Sequence, residues 1–179
     1  MVKEIIHDPI LLGRISSDAA AEDVHAADDL LDTLRANRDR CVGMAANMIG
    51  ELKRIIVFDD GGVIGEMFNP VILSQRDPFD AEEGCLSLDG TRKTKRYKTI
   101  KVQWQTRDMK PRIKTFSGWT AQIIQHEIDH LNGILIKNGE KYEITQKTVF
   151  QFENDVAARH HFCGNNSRDH RRRADHPRH

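Results

Sequence analysis

The chain has 179 residues, 39% of them hydrophobic and 30% charged, long enough for one compact core and too short for two ordinary domains. Its 27 Lys and Arg offset 27 Asp and Glu, a formal net charge of zero, which excludes a chain-wide polyanion binder and an acidic disordered chain. No run approaches the roughly 18 apolar residues of a membrane span, the first residues lack a long apolar secretory stretch, and the three cysteines, Cys41, Cys85 and Cys163, are no disulfide framework in a chain of this size.

A cytoplasmic location, no membrane contact and no specific DNA binding are therefore expected, with at least one thiol free to act as a ligand or nucleophile. From Glu22 to Arg38, the apolar residues Val24, Ala27, Leu31 and Leu34 recur between Asp28, Asp29, Asp32 and Arg35, the pattern of an amphipathic surface helix. The small residues from Cys41 to Gly50 read as a loop. Arg54 to Phe58 reads as a buried strand, closed by Asp59-Asp60-Gly61-Gly62, with Val63 to Phe68 returning as its hairpin partner.

A short strand at Val71-Ile72-Leu73 and a polar turn region ending at Glu82-Glu83-Gly84-Cys85-Leu86-Ser87 come next. From Tyr97 to Gln105, Ile100, Val102 and Trp104 alternate with Lys101, Gln103 and Gln105, the period of a half-exposed antiparallel strand. Ser117 to Asn132 predicts a buried helix: Ala121, Ile124, Ile128 and Leu131 share a stripe, Ser117 stands at the cap and Gly133 follows the end. A last helix is expected from Thr145 to Ala158 through Val149, Phe152 and Val156. Short strands without a regular βαβ alternation give an α+β fold, antiparallel strands packed around the central helix. Residues 1–158 form the expected domain. Residues 159–179 hold six Arg, five His and two Asp and are expected to be a disordered basic tail.

The chemistry concentrates in His126-Glu127-Ile128-Asp129-His130. Histidines at i and i+4 lie about 40° apart around a helix, so both imidazoles can meet one metal ion while the adjacent Glu reaches a water. A purely structural helix would have to bury two histidines, a Glu and an Asp without a shared partner, which is costly. A catalytic metal needs a third protein ligand. Downstream, Glu140 and Glu143 lie in a polar turn; upstream, Cys85 follows Gly84, which lets the backbone approach closely. An inert buried cysteine is the competing reading of Cys85.

Three patterns, Gly43-Met44-Ala45-Ala46, Glu83-Gly84-Cys85-Leu86-Ser87 and Gln125-His126-Glu127-Ile128-Asp129-His130-Leu131-Asn132-Gly133, occur in the order and spacing of the peptide deformylases. The chain resembles that family from about Ile5 to Ile136. The resemblance implies that Cys85, His126 and His130 bind the metal, that Glu127 is the general base, and that the Leu86 backbone N–H supports the oxyanion. It also implies that Arg92 braces the site and that a formylmethionyl nascent peptide pairs with the Val42-Gly43 segment beside Gly84. Ferrous iron is the expected ion, with Zn²⁺, Ni²⁺ or Co²⁺ suited to the same donors.

The first motif departs from the family pattern: Cys41 stands for its first Gly and Met48 for its closing Gln, the residue whose amide would donate to the oxyanion. Methionine has no donor, and loss of one such donor costs about 10² to 10³ in rate. Asp89 stands where a Pro is usual, and the stretch from Arg92 to Tyr97 is one residue short.

The implied reaction is hydrolysis of the formyl amide: Glu127 takes a proton from a water acidified by the metal and later returns it to the leaving amine. Trp119, Ile123 and Ile128 are candidate walls of the methionine pocket or ordinary core. Three rivals stand beside this reading. One is a weak or altered deacylase, motivated by Met48. Another is a zincin-type endopeptidase, which lacks a convincing downstream ligand. The last is a non-catalytic, ribosome-associated metal binder, which has no need of Glu127. Residues 92–114 hold ten Lys or Arg against one Asp and form either a solvated hairpin face or a contact with ribosomal RNA.

Overall fold

A computed structural model describes residues 1–137 and 140–143 of the chain. After a single helical turn, α1 (Pro9–Leu12), capped by the Asp8 carboxylate on the Ile10 N–H, the first long helix is α2 (Val24–Ala36). Its buried stripe runs through Ala26, Ala27, Leu30, Thr33 and Leu34, with Val24 and Leu31 half-buried against the core. The Asp23 carboxylate ahead of it accepts the Ala20 N–H at 2.8 Å and lies 3.0 Å from Lys53 Nζ.

The segment read as a loop is ordered by the sheet. It forms a short strand, β1 (Gly43–Ala45), and a 3₁₀ turn, Ala46–Ile49, both fully buried. Small side chains explain this, since they let the backbone pass through the core. Next come β2 (Ile55–Asp60) and β3 (Val63–Cys85), joined by the expected Gly61-Gly62 turn. In β2 the four residues Ile55 to Phe58 are all buried, because both α2 and the central helix pack on this strand.

The short strand and polar turn expected from 71 to 87 form instead one long ribbon. β3 pairs with β4 (Leu88–Gln105) as far as Cys85 opposite Leu88, with bulges between Phe68 and Val71, Ile72 and Ser74, and Gly84 and Cys85. The distal ribbon lacks apolar alternation. Opposite charges face each other across it instead, Asp80 against Lys95 and Glu82 against Lys93, and cross-strand charge pairs are stabilising. β5 (Pro111–Ser117) completes a five-stranded antiparallel sheet in the order β1-β2-β3-β4-β5.

The central helix, α3 (Gly118–Leu131), matches the expected span. Ala121, Ile124, Ile128 and Leu131 are buried along it. Ser117 holds the N-cap position, but its hydroxyl makes no capping bond. Gly133 has φ +67° and packs so closely on Gly13 that a side chain would meet the Gly13 carbonyl. A two-stranded sheet, β6 (Ile134–Lys137) with β7 (Glu140–Glu143), follows, so Glu140 and Glu143 lie in a strand rather than a turn. The mixed architecture with its antiparallel sheet and central helix is the α+β fold expected. The helix expected at 145–158 and the tail at 159–179 lie outside the described residues.

Candidate metal centre and catalytic cavity

The end of β3 and one face of α3 bring three ligands together. The donor atoms of Cys85, His126 and His130 all lie within 4.8 Å of one another. Cys85 Sγ is 3.3 Å from His130 Nε2, and the two imidazole centroids are 5.0 Å apart, the outcome of i, i+4 spacing on a helix. His126 donates its Nδ1–H to Glu83 Oε2 at 2.9 Å, which fixes the tautomer and leaves Nε2 for a metal.

Glu83 is saturated. Its Oε1 accepts from Arg96 Nε at 2.7 Å and from Gln122 Nε2 at 3.1 Å, and its Oε2 accepts from Arg96 Nη2 at 2.7 Å as well as from His126. Burial alone would raise the Glu83 carboxyl, but the Arg96 guanidinium and His126 hold it at about 2. Arg96 is fully buried and also donates to Asp129 Oδ2 at 2.5 Å.

Burial would raise the Cys85 thiol too, yet the two imidazoles beside it bring it well below its ordinary value. Burial raises the Glu127 carboxyl to about 7; it is 3% exposed and its Oε2 has no protein partner. One cysteine sulfur and two imidazole nitrogens in a tight cluster, next to a buried carboxyl group with an unengaged oxygen, fit a divalent cation of the Zn²⁺ or Fe²⁺ type.

The centre opens into a cavity of about 520 Å³ lined by Val42, Gly43, Met48, Gly84, Cys85, Leu86, Trp119, Ile123, His126 and Glu127, among others. Gly43 is required by packing: a Cβ there would stand 2.6 Å from both Glu127 Oε1 and Ile123 Cγ2. Met48 is 1% exposed and its Sδ accepts the Ala45 N–H at 3.4 Å, so the sulfur holds the local backbone. Cys41 donates its thiol to the Gly43 carbonyl at 2.9 Å, and burial pushes it up to about 12.

The structure thus gathers Glu127, Leu86, Met48, Val42, Gly43 and Gly84 around one cavity, with Cys85 and His126 in its wall and His130 behind them. Ile128 is buried in the core and does not line the cavity. Arg92 pairs with Glu83 across the ribbon and borders a small pocket together with Cys85, Arg96, His126 and His130, but its side chain bonds the Gly90 carbonyl at 3.3 Å, and the guanidinium that bonds Glu83 is that of Arg96. Part of the signal lay in the strand's period: Arg96 and Thr94 share the parity of Trp104, Val102 and Ile100 and are buried, while Lys98, of the same parity between them, is exposed and breaks the pattern. Glu83 and Gln122, which no spacing rule singled out, complete the polar network.

The comparisons with known proteins identify the family. The family model described as polypeptide deformylase matches residues 5–141. The chain is similar to a peptide deformylase of Clostridium beijerinckii, 54% identical over 136 residues, 76% of this chain and 100% of the relative. It is also similar to peptide deformylase 1 of Corynebacterium efficiens, 39% identical over 73% of this chain and 81% of that one. Among solved structures, a class I type b peptide deformylase from Acinetobacter baumannii with Met-Ala-Ser bound superposes with TM-score 0.70 at 28% identity, over 76% of this chain and 97% of that one. The Thermotoga maritima peptide deformylase gives 0.68 at 31% identity, over 75% and 95%.

Proposed function

The chain belongs to the peptide deformylase family and removes the N-formyl group from nascent peptides, and on that premise we propose how its own residues divide the work. The observation that carries the assignment is the convergence of Cys85, His126 and His130 at the wall of the cavity that also holds Glu127. These three residues would hold the divalent metal, Fe²⁺ by first choice, with Zn²⁺, Ni²⁺ or Co²⁺ suited to the same donors. When bound, the metal supplies Lewis acidity that polarises the formyl carbonyl and acidifies a water.

Glu127, whose Oε2 has no protein partner at the cavity, would take the proton of the attacking water and hand it to the leaving amine. The Leu86 N–H donates to the oxyanion as it develops. The formylmethionyl chain enters with its side chain against Trp119 and Ile123, and its backbone pairs with Val42-Gly43 at β1, which ends the order of the five-stranded sheet. Gly84 forms the facing wall. Arg96 acts at one remove, holding Glu83, which orients His126.

A second reading is favoured by Met48. Its sulfur accepts the Ala45 N–H and offers the oxyanion nothing, so hydrolysis rests on fewer donors and is slowed or redirected to another acyl group. We assign residues 1–158 to the catalytic domain, 159–179 to an appended tail, and the protein to the cytoplasm. Lys93, Lys95 and Lys101 are exposed on one face of β4 and form the face for a ribosome contact.

The test is to count metal per chain after anaerobic purification and measure formate release from formyl-Met peptides. Full metal occupancy without formate would overturn the assignment.

A further inference from the structure

The turn that carries Leu86 has an unusual construction. Leu86 and Ser87 form the two-residue connection at the end of the long β3–β4 ribbon, with Cys85 paired to Leu88 across it. Two-residue hairpin connections favour turns in which φ is positive at one or both central residues, because only these match the twist of the strands. Neither Leu86 nor Ser87 has positive φ. The irregularity is taken up by Asp89 and Gly90, which bulge out between Leu88 and Thr91 with Gly90 at φ +80°. Nor does the turn hold itself by a side chain: Ser87 is 2% exposed and its buried hydroxyl has no hydrogen-bond partner.

What reaches this turn comes from 80 residues away. His7 Nδ1 lies 3.0 Å from the Ser87 carbonyl oxygen. A carbonyl accepts only, so Nδ1 carries the proton and donates. The neighbouring residue ties down the other flank of the cavity, where the Ile6 N–H donates to the Met48 carbonyl at 2.8 Å. Ile6-His7 therefore spans from the 3₁₀ turn that carries Met48 to the hairpin turn that carries Leu86.

We propose that His7 is a positioning residue for deformylation: its hydrogen bond to Ser87 holds the Leu86-Ser87 turn so that the Leu86 amide stays at the cavity wall, ready for the oxyanion. This rests on the role given to Leu86 above. The tether matters more here than in a site with a full donor set, because Met48 supplies no hydrogen bond. The imidazole itself touches no reacting atom.

The test compares the metal-loaded parent with His7→Phe, which keeps a ring of similar size without the donor, and with His7→Asn, whose Nδ2 sits near the place of the lost nitrogen. In His7→Phe we expect kcat to fall about 10- to 100-fold, part of the loss typical of one oxyanion donor, with KM and metal content within about twofold. Amide hydrogen exchange at Leu86, Ser87 and Leu88 should quicken in the same variant. His7→Asn should restore most of both.

Unchanged exchange at the turn in His7→Phe would overturn the tether. Faster exchange with unchanged kcat would overturn its link to catalysis, and with it the role of Leu86, while leaving the metal site and Glu127 standing. His7 is exposed, so neither variant removes core; should the Phe variant fail to fold, His7→Ala provides the same comparison.

Discussion

Arg96 meets Glu83 with both prongs of its guanidinium, Nε on Oε1 and Nη2 on Oε2, each at 2.7 Å and with both groups buried. Removing one partner of such a pair leaves the other buried charge without its counter-ion, here the Glu83 carboxylate. Arg96→Ala should therefore cost about 3–5 kcal/mol in denaturant melts and lower the metal content, because Glu83 no longer fixes His126. Arg92→Ala, which releases only a bond to the Gly90 carbonyl, should stay within about 0.5 kcal/mol of the parent.

A second prediction concerns pH and lies far from the metal. The Asp23 carboxyl is held below its ordinary value, first by the Ala20 N–H and then, against the opposing effect of burial, by Lys53. A depressed folded-state pKa means that its stabilisation is present above the unfolded value of about 3.9 and lost as the pH falls through the folded one. Asp23→Asn should cost about 1 kcal/mol at pH 7. The gap between parent and variant should close as melts are taken from pH 4 downward.

Much of this was legible beforehand, and the misses share a cause. The spacing of His126 and His130, the stripe of α3 and the Gly61-Gly62 turn are local features, and local periodicity reports them directly. The ribbon from Arg76 to Glu83 was read as turn because its pairing depends on charges in β4 rather than on its own apolar alternation. Arg96 was overlooked in favour of Arg92 because only a strand running back past Tyr97 shows which basic side chains point inward. His7 carries no signal at all in the sequence, since its partner is a backbone carbonyl 80 residues away.

Met48 gives a prediction that runs toward gain. In the parent its sulfur accepts the Ala45 N–H; in Met48→Gln the amide oxygen takes over that bond and the amide N–H becomes available to the oxyanion. We expect kcat for a formyl-Met peptide to rise about 10-fold or more, toward the 10² to 10³ typical of one such donor, with KM nearly unchanged. A fall in kcat would show that Met48 is there for packing alone.

Gly43 tests the approach of β1 to α3. A methyl group at this position would press on Glu127 Oε1 and Ile123 Cγ2, so Gly43→Ala must move the carboxylate, the strand or both. Overpacking of this kind costs about 1–3 kcal/mol. Deformylation should drop about 10²-fold while the metal stays bound, since Cys85, His126 and His130 lie outside the clash. Steady-state kinetics alongside metal analysis separate these effects.

The central claim is that one buried carboxylate moves the proton at a metal held by Cys85, His126 and His130. The direct measurement is formate release by metal-loaded Glu127→Gln beside the parent, with metal counted in both. The account predicts the same metal content and turnover lower by about 10² to 10⁴, the usual contribution of a positioned general base. Turnover within threefold of the parent at equal metal content would contradict it.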